Sequence, residues 1–230
     1  MVQVNVTPIT VRIKFYKVGG LQYISHLDLV RTMHKIIVRS SLPLWYTEGF
    51  NPKPKMVFAA PLSIGTESLC EYMDLRLTER LPESEIMDAL NKNLTNEMQV
   101  VKVYYPETKL TDLKWLSYVI TLNTIGASPE LAEKVNEALR ADAMPVAKKQ
   151  KPEDAVDIKP LIRFASAVYD AGNIRIDCTL SADASSFLNP EYLVKYLRAA
   201  CGVLSSGNLM AESYEILRHS AYAADMSEYR

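Results

Sequence analysis

The chain has 230 residues, 48% hydrophobic and 23% charged, which suits one larger domain or two small ones and excludes a disordered chain. No apolar run approaches the roughly 20 residues of a membrane helix, and Met1-Val-Gln-Val-Asn5 has neither a basic nor an apolar leader region, so a cytoplasmic protein without membrane contact is expected. The net charge of −1 conceals a split: residues 1–55 hold eight basic side chains against Asp28 and Glu48, a balance of +6 that leaves −7 for the remainder.

Val11-Arg-Ile-Lys-Phe-Tyr-Lys17 alternates with period two, which predicts a half-buried strand. Val11, Ile13 and Phe15 point inward; Arg12, Lys14 and Tyr16 form a basic, aromatic outer face. Gly19-Gly20 breaks the strand, and Ser25 with Asp28 predicts a capped helix over 25–40. Leu27, Val30, Met33 and Ile37 are its expected apolar stripe, and Arg31, Lys35 and Arg39 line its outer face. Strands are expected at 56–60 and 71–78, a helix from Pro82 with Ile86, Leu90 and Leu94 inward, and a strand at 100–105. The pattern then recurs. Strands are expected at 115–122, 161–168, 174–180 and 209–217, with helices at 129–140 and 190–200, the last stopped by Gly202. Residues 145–156 read as an exposed loop and the tail after Tyr222 as frayed. The predicted class is α+β: two tandem ferredoxin-like (βαββαβ) units with antiparallel sheets, at 1–108 and 113–220.

Chemistry concentrates between Leu21 and Ser68. In Gly49-Phe-Asn-Pro-Lys-Pro-Lys55 two prolines stiffen a loop that displays Lys53 and Lys55; this suits a phosphate clamp and equally a rigid turn feeding a strand. His26, in the first turn of the helix, is the candidate catalytic acid or base, or else a structural histidine that hydrogen-bonds the Gly49–Lys55 loop. Ser63, Gly65, Thr66 and Ser68 form a polar turn able to approach a phosphate, or simply a turn. Tyr16, Tyr23, Tyr46 and Phe50 accompany the basic cluster, as rings do in single-strand nucleic-acid sites. The candidate nucleic-acid-binding set is therefore Arg12, Lys14, Arg31, Lys35, Lys53 and Lys55. Cys70, Cys178 and Cys201 are scattered and odd in number, so neither a disulfide framework nor a metal site is expected. With no GxGxxG or P-loop pattern, no cofactor is expected either.

Several short motifs fall in a familiar order. Arg12-Ile-Lys-Phe15, Tyr23-Ile-Ser-His-Leu-Asp28, Leu42-Pro-Leu44, Gly49–Lys55 and Ala60-Pro-Leu-Ser-Ile-Gly65 with Glu67-Ser68 resemble a radical-SAM-linked bacterial family of unknown function. The likeness is looser beyond residue 95, where Val156-Asp-Ile-Lys-Pro-Leu-Ile162 is similar to a second segment. The resemblance implies a radical SAM enzyme as partner, acting on RNA or on a translation component. The scattered cysteines make this chain an accessory rather than the radical enzyme. Three readings follow: an RNA-binding, substrate-presenting module; a protein-docking partner without RNA contact; and a metal-independent RNA-processing enzyme using His26.

Overall fold

A computed structural model describes residues 7–148, 151–208 and 210–230 of the chain. The fold is mixed α+β, with antiparallel strand pairing and four α-helices among the described residues. It divides into two units, Met1–Asp112 with Arg230, and Leu113–Tyr229.

In the first unit, β1 (Ile9–Lys17), α1 (His26–Arg39), β2 (Met56–Phe58), β3 (Thr66–Leu77), α2 (Glu83–Asn91) and β4 (Met98–Tyr104) follow one another. The sheet order is β4-β1-β3-β2, every neighbour antiparallel. Val11, Ile13 and Phe15 of β1 meet Met73, Leu75 and Leu77 of β3 in one buried cluster, with residues of both helices. Both helices therefore cover one face of this sheet, because side chains of one strand parity share a face. Ser25 caps α1: its Oγ accepts from Asp28 N at 3.1 Å and donates to Asp28 Oδ2 at 2.7 Å. The buried stripe of α1 is Leu29, Met33, Ile36 and Ile37. Leu27, expected inside, is 56% exposed. Both sets fit a 3.6-residue period, and packing on the sheet selects the rotated one.

The outer face of β1 also needs correction. Arg12 is fully buried, and Lys17 is buried with its ammonium donating to Leu21 O at 2.9 Å. Gly19 has φ +61°, in the left-handed region that favours glycine at the break after β1.

In the second unit, β5 (Trp115–Asn123), α3 (Pro129–Leu139), β6 (Pro145–Lys148), β7 (Lys151–Asp157), β8 (Ile162–Asp170), β9 (Asn173–Ser181), α4 (Pro190–Cys201) and β10 (Ser213–Tyr222) follow. Its main sheet has the order β10-β5-β9-β8, again antiparallel. Setting aside β6 and β7, this is the same permutation as in the first unit. Ala171 (φ +45°) and Gly172 (φ +88°) form the two-residue turn between β8 and β9, the twist such hairpins favour. Gly202, at φ +77°, ends α4.

Three expectations differ. The segment 145–156 is not a plain loop, because β6 and β7 pair as a hairpin; Lys149 and Gln150 of its basic stretch lie outside the described residues. The last strand begins at Ser213 rather than Leu209, which itself lies outside the described residues. The turn before that strand is set by Glu212, whose carboxylate accepts from Thr124 Oγ1 at 2.6 Å, Ile125 N at 3.1 Å and Ser206 N at 2.7 Å. The tail after Tyr222 folds back: Tyr229 N donates to Ala221 O at 2.9 Å, and the Tyr229 ring is buried.

Candidate functional site

Strand alternation assigns the rest of the first unit's sheet to its second face, opposite α1 and α2. Met56 pairs with Leu75 and belongs to the core side. Its neighbours Lys55 and Val57 therefore turn the other way. Arg76 N donates to Lys55 O at 3.0 Å, and Arg76 stands opposite Thr10 of β1. Thr10, Arg76 and Lys55 thus form one transverse row. The next row is Arg12, Asp74 and Val57, and Lys14 faces Tyr72 and Lys102 in the one after.

An open cleft of about 430 Å3 lies on this face. Its ionisable lining is Lys55, Arg76 and Lys109 against Asp74 and Glu107. Asp74 is neutralised from below. Arg12 Nε donates to Asp74 Oδ1 at 2.7 Å and Nη2 to Oδ2 at 3.0 Å. Arg12 also donates to Thr108 Oγ1 and Thr108 O, both at 2.9 Å. Such a two-pronged pair fixes the guanidinium. With Asp74 compensated, the cleft has a cationic excess, and Lys55 and Arg76 are exposed to solvent. Further along the face, Lys14 Nζ lies 5.6 Å from the Tyr72 ring centre and Lys102 Nζ 5.3 Å from that of Tyr104, cation–π distances.

The Gly49–Lys55 motif leads into β2 as a pinned loop. Lys55 N donates to Trp45 O at 3.0 Å, and Trp45 N to Arg76 O at 2.9 Å. Tyr46 bridges Pro54. Thr47 N donates to Lys53 O at 2.9 Å, and Lys53 N to Thr47 Oγ1 at 3.1 Å. Pro54 is buried, whereas Pro52, Lys53 and Phe50 are exposed.

The other candidates stand elsewhere. Arg12 is a buried structural cation, not a displayed one. Arg31 and Lys35 are exposed on α1, and Arg31 Nη1 lies 3.4 Å from Asp28 Oδ1. The Ser25 hydroxyl, and then Arg31, hold the Asp28 carboxyl below its ordinary value. His26 packs its ring on Phe58 at 5.5 Å, edge to face. Its Nδ1 is buried and makes no hydrogen bond among the described residues, so the expected bond to the Gly49–Lys55 loop is not formed there. Lys55 is thus brought to Arg76 and Lys109, while His26 sits with Phe58 on the core side. Thr66 and Ser68 are buried. Gly65 N donates to Gln22 O at 2.9 Å and Glu67 Oε1 accepts from Gly19 N at 2.7 Å, so the polar turn braces the chain around Gly19–Gly20.

All three cysteines are buried, and burial pushes the Cys178 thiol up to about 12, which removes it as a nucleophile. Among the described residues no three His, Cys, Asp or Glu side chains group as metal ligands. Sequence reasoning missed Arg76, Lys102 and Lys109. Arg76 was recognisable as an outward residue of an alternating strand, but its partnership with Lys55 depends on the β2–β3 register.

A family model described as an uncharacterized protein conserved in bacteria (DUF2344) matches residues 10–190. The comparison with curated proteins returned no match. Among solved structures, an unknown protein from Galdieria sulphuraria is 10% identical, with 92% of this chain and 99% of that chain covered and a TM-score of 0.26. DyPB from Rhodococcus jostii is also 10% identical, covering 94% of this chain and 95% of that one at a TM-score of 0.21. At such scores neither bears on fold or function.

Proposed function

This chain belongs to the bacterial family DUF2344, and we propose that it is an accessory RNA-binding module that presents RNA to a radical SAM enzyme. The observation that supports RNA binding most is the Lys55–Arg76 row, which opens into a cleft shared with Lys109 beside an Asp74 already neutralised by Arg12. Exposed cations on a sheet face suit contact with a phosphate backbone. The radical SAM partner rests on the motif resemblance alone. We read the two units as tandem ferredoxin-like copies, a reading supported by their shared strand order, and we assign the protein to the cytoplasm.

The protein-docking alternative draws on the exposed Tyr23, Leu27, Phe50 and Ile64. The enzyme alternative draws on His26, but a ring packed on Phe58 across the sheet from the cationic row is poorly sited to attack RNA held there. The test is a titration of wild type, the Lys55→Ala/Arg76→Ala variant and His26→Ala with labelled single-stranded RNA. The reading expects the double variant to lose affinity and His26→Ala to bind as wild type. Cleavage of the RNA by wild type but not by His26→Ala would instead support the enzyme.

A further inference from the structure

Phe50 is the one large apolar side chain between Thr47 and Lys53, and it is fully exposed. A phenyl ring held wholly in water gains nothing for the fold; a single exposed ring is ordinary on a protein surface, and what sets this one apart is the loop that carries it. The loop beneath it is not slack. Its stem is closed by Thr47 N to Lys53 O and Lys53 N to Thr47 Oγ1, then by the Tyr46–Pro54 bridge and by Lys55 N to Trp45 O. Gly49, at φ +117°, turns the chain at the apex, in a conformation L side chains rarely adopt.

The surroundings of the ring identify the partner's chemistry. Glu48, Gly49, Asn51, Pro52 and Lys53 around it are all exposed. Its neighbours along the chain thus build no apolar rim about it, unlike the ringed anchors of protein interfaces. A flat ring with ammonium groups three and five residues after it on the same stem, Lys53 and then Lys55, fits one nucleobase stacked and its flanking phosphates contacted. Pro52 and Pro54 carry no N–H, so this edge offers side chains rather than backbone donors. We propose that Phe50 is a base-stacking residue for single-stranded RNA, placed at the apex of a loop whose root at Lys55 feeds the phosphate-binding cleft. This deepens the RNA-binding reading above and rests on it.

The experiment compares wild type, Phe50→Ala, Phe50→Leu and Phe50→Trp for binding a labelled mixed-sequence single-stranded RNA, and for binding heparin as a polyanion without bases. Circular dichroism confirms each fold, which an exposed apex residue should not disturb. Phe50→Ala should weaken RNA binding about tenfold, Phe50→Trp should restore it and Phe50→Leu should not. Heparin affinity and the salt slope should stay as in wild type. If Phe50→Ala binds RNA as wild type does while Lys55→Ala/Arg76→Ala is weakened, the stacking role is overturned and the RNA reading stands. If Phe50→Leu restores binding as fully as Phe50→Trp, the contact is a generic apolar one and the stacking role again falls. If wild type binds no RNA, both fall, and the exposed ring passes to the protein-docking alternative.

Discussion

At Arg12 a guanidinium is taken wholly out of water, and its desolvation is offset by Asp74 and Thr108, which accept from three of its nitrogens. Removing one partner of such a pair costs more than the pair contributes, because the other charge stays behind without compensation. Arg12→Ala is expected to lower stability by about 3 kcal/mol in urea unfolding. It should also leave Asp74 as a bare carboxylate in the cleft and weaken polyanion binding. A loss below about 1 kcal/mol, the scale of a surface pair, would mean that solvent compensates Asp74 and that Arg12 does not support the site. The exposed Arg31–Asp28 contact is of the weaker kind: Arg31→Ala should change stability by no more than about 0.5 kcal/mol.

Among the elements, the two units share a device at a sheet edge. Asn91 of α2 donates from Nδ2 to Val100 O at 3.0 Å and accepts from Val100 N at 2.8 Å through Oδ1. Asn136 of α3 does the same with Ala167 of β8, both bonds at 2.8 Å. β4 and β8 each end the strand order of their own unit. The asparagine amide therefore stands in for a missing strand, satisfying one outward pair of backbone groups and denying it to another chain. Asn91→Ala and Asn136→Ala should each cost about 1–3 kcal/mol, with faster amide exchange at Val100 or Ala167; unchanged exchange at both would refute the role.

The turn before β10 depends on Glu212, whose carboxyl hydrogen bonds from Ser206 and then Thr124 hold down at about 2, against an ordinary 4.5. A folded-state value below the unfolded one contributes stability that is complete above about 4.5 and fades as pH falls through about 2. Amide protection at Leu204 and Ser206 should decline across that window, and Glu212→Gln should remove the dependence. Protection that holds flat through it would show that the turn stands without this carboxylate.

Strand parity and helix caps were legible because each is local: Ser25, Gly202 and the Val11–Ile13–Phe15 alternation carry their own instructions. The phase of α1, the β6–β7 hairpin, the start of β10 and the asparagine plugs were not. Each is fixed by a partner far along the chain, as Ala167 is for Asn136, and short-range pattern cannot report it.

Across the whole molecule, the charge split of +6 and −7 overstates the displayed cation. Arg12 is spent on Asp74 and Lys17 is buried; Arg31 stands against Asp28. What remains is sorted by the fold, with Lys35 and Arg39 on α1 and Lys55 with Arg76 on the opposite side of the sheet. Composition revealed an excess but not its division, since the division depends on which face each strand residue takes. Lys53 and Lys55 were legible as exposed loop cations, whereas Arg76 entered the site only through its pairing with Lys55. The central claim is that this second face of the first unit binds RNA through phosphate contacts. The most direct measurement is the slope of log K against log salt for single-stranded RNA, for wild type and for Lys55→Ala/Arg76→Ala. RNA binding should weaken with salt in wild type, and the double variant should lose affinity with a slope shallower by about 0.7 for each contact removed. Equal affinity and equal slope for the two proteins, or no RNA binding by either, would contradict it.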